Sequence, residues 1–270
     1  MREISFEESK KIMVKILESI DKCCRENNIK YSLCWGTMIG AIRHHGFIPW
    51  DDDIDIMMPR EDYNRFLSIY NDPECGVYTP KKTKNCIQII TKIYNKNTCI
   101  YYHNHPKTLF GIWISIFPYD NVPDKNLKLW EVSRSFWVFL YQSKTARFLT
   151  TDSLKMRIGK TLMKVFLLPF SSSWLYNRVE ACLTAYNGCQ TKLVCIWTGV
   201  GITKTTFIYF FKEWFDECID VDYEDVKTKI IKGYDEFLRS RYGDYMVFPP
   251  ESERVPKHNY KAYYTTIGDE

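Results

Sequence analysis

Gly46-Phe47-Ile48-Pro49-Trp50-Asp51-Asp52-Asp53-Ile54-Asp55-Ile56-Met57 sets four acids within five positions, the last two alternating with isoleucine. On a strand, side chains two apart face the same way, so Asp53 and Asp55 share one face while Ile54 and Ile56 enter the core. Two carboxylates fixed side by side raise each other's pKa unless something cationic sits between them. Hard oxygen ligands of this kind suit Mg2+ or Mn2+. The alternative, a solvated acidic turn, fits poorly with the alternating isoleucines.

Just upstream, Tyr31 to Trp35 is a short β-prone run, Gly36-Thr37 follows, and Met38 to Arg43 reads as a helix. A strand that ends in Gly-Thr at a helix start offers backbone N–H groups and a positive dipole end, which suits phosphate. A phosphate turn followed, 16 residues after Thr37, by Asp-x-Asp resembles the nucleotidyltransferase superfold.

The wider wording is more specific. Trp35-Gly36-Thr37 and the run from Ala41-Ile42-Arg43-His44-His45-Gly46 through Asp55 resemble the LicD family of phosphocholine transferases. So do Tyr242-Gly243-Asp244-Tyr245-Met246, Pro249-Pro250, Arg254 and His258, so that the likeness covers roughly residues 5–120 and 205–260. The resemblance implies an α/β (α+β) fold: a nucleotidyltransferase-like mixed sheet flanked by helices. It also implies a transferase that moves phosphocholine, or a related substituted phosphate, from CDP-choline or a similar CDP-linked donor. The acceptor would be a hydroxyl of a cell-surface glycan, such as lipopolysaccharide or teichoic acid, or its glycolipid precursor. Asp53 and Asp55 would hold magnesium against the donor diphosphate, and Gly36 and Thr37 would hold phosphate at the helix start. Two other readings stay open: a nucleotidyltransferase that uses a nucleoside triphosphate and releases pyrophosphate, and a catalytically weak pseudoenzyme.

The last of these arises from a departure. The family carries a third carboxylate in a strand reading Ile-Asp-Ile-Phe-Pro, whereas here Ile114-Ser115-Ile116-Phe117-Pro118 puts Ser115 in its place. Serine is a poor metal ligand and no general base without help. Asp51, Asp52 or Asp120 are the candidates to compensate.

Arg43, after the phosphate turn, is a candidate anion contact. His45, with His44, is either a substrate or metal contact or a helix-end cap. Lys92 lies on an expected strand, either reaching a phosphate or exposed on its face. Trp50 and Trp113 are candidates to box a quaternary ammonium, with core packing as the alternative. Arg241-Tyr242-Gly243 reads as structural, Gly243 stopping a helix.

The chain has 270 residues, 45% of them hydrophobic, with a formal charge of +4. That balance supplies a core and favours anionic ligands, and it falls short of a nucleic-acid footprint. The ten cysteines show no C-x-x-C pair, which argues against zinc. The opening Met-Arg-Glu-Ile-Ser-Phe-Glu-Glu is too polar for a signal peptide, so a reducing cytoplasm is expected. Three parts are expected: a catalytic core over 1–124, a helical lobe over 125–204, and a C-terminal part over 205–270 that completes the core. From Lys125 to Lys164 the lobe has nine Lys or Arg against Glu131 and Asp152, interleaved with aromatics. No apolar run there reaches the ~20 residues that span a bilayer. Such a segment either lies on an anionic membrane at its inner face or packs as an ordinary solvated lobe.

Overall fold

The computed structural model describes residues 2–83, 86–102, 110–149, 152–197, 207–258 and 260–265. Along the first half run β1 (Glu3–Ile4), α1 (Phe6–Glu26), β2 (Ser32–Leu33), α2 (Trp35–His44), β3 (Asp55–Pro59), α3 (Arg60–Ile69), β4 (Cys75–Tyr78), β5 (Thr91–Asn95), β6 (Thr98–Tyr102) and β7 (Trp113–Asn121). Three helices follow, α4 (Leu127–Thr145), α5 (Leu154–Phe166) and α6 (Ser172–Thr184). The chain then forms β8 (Leu193–Trp197), β9 (Phe207–Phe211), β10 (Cys218–Tyr223), β11 (Val226–Ile231), α7 (Tyr234–Tyr242) and β12 (Tyr260–Tyr264). The fold is the mixed α/β arrangement that the sequence led us to expect.

α1 starts on a capping box: Glu8 N–H donates to the Ser5 hydroxyl, and the Glu8 carboxylate accepts from Ser5 N–H. Its apolar positions at helical spacing, among them Met13, Ile16, Leu17 and Ile20, are all buried. α2 begins at Trp35, three residues before the expected start, so Gly36 and Thr37 lie inside its first turn.

The nine-residue β7 is the spine of a seven-stranded sheet. β3 runs parallel to it on one side. β5 and β8 run antiparallel on the other, β5 along Trp113–Ile116 and β8 along Tyr119–Asn121. β2 and β4 extend the two flanks, and β9 extends β8. Asp53 precedes the paired part of β3, yet the alternation holds, with Ile54 and Ile56 fully buried.

A second sheet, β1-β12-β6, returns the C-terminal segment to the N-terminal half. That return carries His258, just before β12, to the acidic loop. α4 and α6 share an apolar cluster of their own with Cys195 and Trp197 of β8, built on Trp130, Val138, Tyr141, Leu175 and Val179. The domain boundary expected at residue 204 lies outside the described residues.

Candidate active site

Three strands bring the chemistry together. Register pairs Asp55 of β3 with Ser115 of β7, and Ser115 in turn with Lys92 of β5. Paired residues share a face, so Asp55, Ser115 and Lys92 form one row across the sheet. Lys92 Nζ donates to Ser115 Oγ at 3.4 Å. The residue in the place of the third carboxylate therefore stands between an acid and a cation. Lys92 is 6% exposed, so it does not sit on an exposed strand face.

These residues line a cleft of about 560 Å³ together with Asp53. Trp35, Tyr102 and Tyr242 add aromatic faces, and Gln142, Arg241 and His258 add polar groups. A larger cavity, about 830 Å³, opens by Pro59, Tyr119 and Asn121, at the other end of β3 and β7, away from Asp53 and Asp55.

Burial, then the charge of Asp53, push the Asp55 carboxyl well above the usual carboxylate range, against the pull of Lys92. Burial likewise raises Asp53. Asp51 is pushed up to about 7 by burial, with Asp53 and Asp52 adding to it. Burial lowers Lys92 to about 8, against the attraction of Asp55 and Asp53. Asp55 Oδ1 is buried and accepts no hydrogen bond. A buried anionic oxygen without a donor is costly, and beside a second carboxylate it is what a divalent cation would satisfy. The donor set thus fits magnesium or manganese.

The neighbouring acids are differently placed. Asp52 accepts from His258 N–H at 2.9 Å, and its other oxygen lies 3.0 Å from His258 Nδ1. Burial opposes charge on that ring, but its hydrogen bond to the Asp52 carboxylate and the charge of Asp53 outweigh it and raise its pKa. Asp52, Asp53 and His258 offer ligand atoms within 4.8 Å of one another. Both Asp52 oxygens are already engaged, so this pair ties the C-terminal segment to the acidic loop and leaves Asp53 and Asp55 for a cation. Asp51 Oδ2 lies where a Cβ on Gly36 would be 2.9 Å from it, so glycine there makes room for a carboxylate at the α2 N-terminus. Thr37 is buried, and its hydroxyl accepts Asp55 N–H at 2.9 Å. It fixes the height of the acid-bearing strand. Trp35 adopts φ 51° at the rim, a left-handed conformation rare for a bulky residue. Its ring is wedged against Phe237 and Phe210, with centroids 5.5 and 6.0 Å away.

Several sequence candidates lie elsewhere. Asp120 does not join the acids: Arg60 donates to it through Nε at 2.9 Å, Asn187 donates at 2.6 Å, and both partners of the ion pair are buried. Five positions from Ser115, it falls on the opposite face of β7. Arg43 turns to the C-terminal turn, donating to Tyr245 O at 2.7 Å and stacking on Phe248, so it does not face the cleft. His45 is the left-handed C-cap of α2, and its carbonyl accepts Glu224 N–H. Trp50 packs on Phe248 away from the cleft, and Trp113 is buried under Lys92, whose Nζ lies 4.3 Å from the ring centroid. Sequence reasoning missed Trp35, Tyr102 and Gln142 as cleft residues, and also Arg241 and Tyr242, to which it gives a structural role. Of these, only Trp35, beside Gly36-Thr37, carried a local signal.

The fold and cleft define a mixed-sheet α/β protein with paired carboxylates set beside a helix N-terminus. Residues 28–149 match the family described as LicD/FKTN/FKRP, nucleotidyltransferase domain. Over that stretch the protein is similar to the LicD family. It is 29% identical over 273 residues to the lipopolysaccharide cholinephosphotransferase LicD of Haemophilus influenzae, covering 97% of this chain and 99% of that one. An uncharacterised protein of Rickettsia prowazekii is 33% identical over 96 residues, 33% of this chain and 36% of its own. One of Rickettsia typhi is 32% identical over 107 residues, 36% of this chain and 35% of its own.

Proposed function

We propose that this protein is a metal-dependent transferase that moves phosphocholine, or a closely related substituted phosphate, from a CDP-linked donor to a hydroxyl of a lipopolysaccharide-type glycan or its lipid-linked precursor. The observation that carries the reading is the buried, unpartnered Asp55 oxygen beside Asp53 in an aromatic, cation-bearing cleft. The near end-to-end likeness to a lipopolysaccharide cholinephosphotransferase supports the substrate class.

Asp53 and Asp55 would hold Mg2+ or Mn2+. When bound, the ion offsets charge developing on the departing nucleotide phosphate. Lys92 and Arg241, on the same cleft, supply cations to the donor diphosphate. Trp35, Tyr102 and Tyr242 give the trimethylammonium group its aromatic walls. The acceptor oxygen bonds to the phosphorus bearing choline as the bond to CMP breaks; the hydroxyl proton is released and CMP leaves. The same reading would have the protein act on the cytoplasmic side of a membrane, where a cytidine nucleotide donor is made.

The test is phosphorus NMR of the protein with CDP-choline and Mg2+, with CTP in a parallel tube. The proposal expects CMP and phosphocholine in the first tube, through slow hydrolysis in place of the acceptor, and their loss with EDTA. Pyrophosphate in the second tube with silence in the first would make the protein a nucleotidyltransferase instead.

A further inference from the structure

The helical segment between β7 and β8 displays an apolar surface that the fold leaves uncovered. On α4, Leu129, Val132, Phe136 and Phe139 recur at steps of three and four, which puts them on one side of the helix. They are 70%, 67%, 53% and 42% exposed. The core side of α4 is a different one, marked by Trp130, Arg134, Val138, Tyr141 and Thr145.

None of the 13 residues of α5 is buried. Leu154, Ile158, Leu162 and Val165 make one stripe, each more than half exposed. The bases of α5 on its other side fasten it to the protein. Lys160 Nζ meets the Asp152 carboxylate at 2.6 Å and Arg147 O at 2.9 Å, Arg157 reaches Leu149 O, and Lys164 lies over the Phe148 ring. The helix is mounted by its basic side and shows its apolar side outward, the reverse of an ordinary surface helix. An exposed apolar face of this extent marks a contact surface.

Charge selects the occupant. The segment from Lys125 to Lys164 has nine bases and two acids, and both acids are engaged, Glu131 by Tyr209 and Asp152 by Lys160. A second copy seated on this face would bring together like charges, since Lys125, Lys128 and Lys155 of this segment have no acid partner among the described residues. An anionic lipid surface offers acyl chains to the stripes and headgroups to bases such as Lys155, which sits within the apolar arc of α5. No helix among the described residues is long and apolar enough to cross a membrane, so the contact is peripheral.

We propose that α4 and α5 dock this protein flat on an anionic membrane. Gln142, one turn beyond Phe139 on α4, lines the acid cleft. Docking therefore brings the cleft to the lipid surface, where a lipid-linked acceptor would lie; that consequence alone rests on the transferase reading.

The test is co-sedimentation of the full chain with vesicles of phosphatidylcholine alone, or of equal parts phosphatidylcholine and phosphatidylglycerol. We expect pelleting with the anionic vesicles only, weakened by salt and about fivefold by Lys155→Gln. The double variant Ile158→Glu/Leu162→Glu changes exposed side chains alone, so it should lose pelleting while keeping its Tm and CMP release. No pelleting with anionic vesicles, or equal pelleting of wild type and double variant, would overturn the proposal. So would a wild-type dimer in light scattering that the double variant dissolves, since this would assign the stripes to a second copy. Asp55→Asn should pellet like wild type, so docking and chemistry fail separately.

Discussion

Asp55 is held by Thr37 at its N–H and is left without a donor at Oδ1. That combination separates positioning from function. If the acids serve a cation, they oppose folding when it is absent. Asp55→Asn should then lower CMP release at least about a hundredfold, as loss of a charge-stabilising group does, while leaving the metal-free Tm unchanged or raised. A structural acid would show the opposite, with Tm falling alongside activity. The pH dependence has a definite sign. An acid whose pKa is raised by the fold destabilises it above the ordinary value, and the penalty is relieved as pH falls through the raised value. With Asp51 near 7, and His258 raised and so stabilising most when protonated, the metal-free protein should gain Tm from about pH 8 to about pH 6. Mg2+ should raise Tm most at the alkaline end, where the carboxylates are ionised. Scanning calorimetry with and without EDTA reads both. Ser115→Asp addresses the missing acid: if the wild type is a weakened enzyme the variant gains turnover, whereas the row Asp55-Ser115-Lys92 as a working site predicts no gain.

Among the elements, α2 and β3 act as one device. Thr37→Val should orphan the buried Asp55 N–H and cost about 1–3 kcal/mol in urea unfolding. It should also weaken metal binding, because the strand loses the hydroxyl that sets its height. Asp120 on β7 is the contrasting case. Asp120→Ala leaves the buried Arg60 guanidinium with the Glu180 carboxylate alone, at 3.5 Å, and should cost at most about 3–5 kcal/mol, with Mn2+ affinity unchanged. The alternation of Ile54 and Ile56 was legible in sequence because it is a local pattern. The start of α2 was not, because a tryptophan at φ 51° has no local signature and is held by Phe210 and Phe237, far along the chain.

Across the whole molecule, the cleft is assembled from segments distant in sequence, and this set the limit on what could be read in advance. Asp53 and Asp55 declared themselves through spacing. Lys92 was noticed, but its burial depends on strand register across β7. His258 reaches Asp52 only because β12 returns to pair with β6. Arg43 and Trp50 are near the acids in sequence but turn to the Tyr245–Phe248 segment, a contact that no short-range pattern contains. The basic, aromatic character of residues 125–164 was visible, whereas the outward mounting of α5 required its contacts with Arg147 and Asp152.

The most direct test of the central claim is calorimetric titration of Mn2+ into the wild type and into Asp55→Asn at neutral pH. The account predicts one ion bound per wild-type chain, with release of protons, and loss of that binding in the variant. Wild-type protein that takes up no ion, or a variant that binds it equally well, would contradict it.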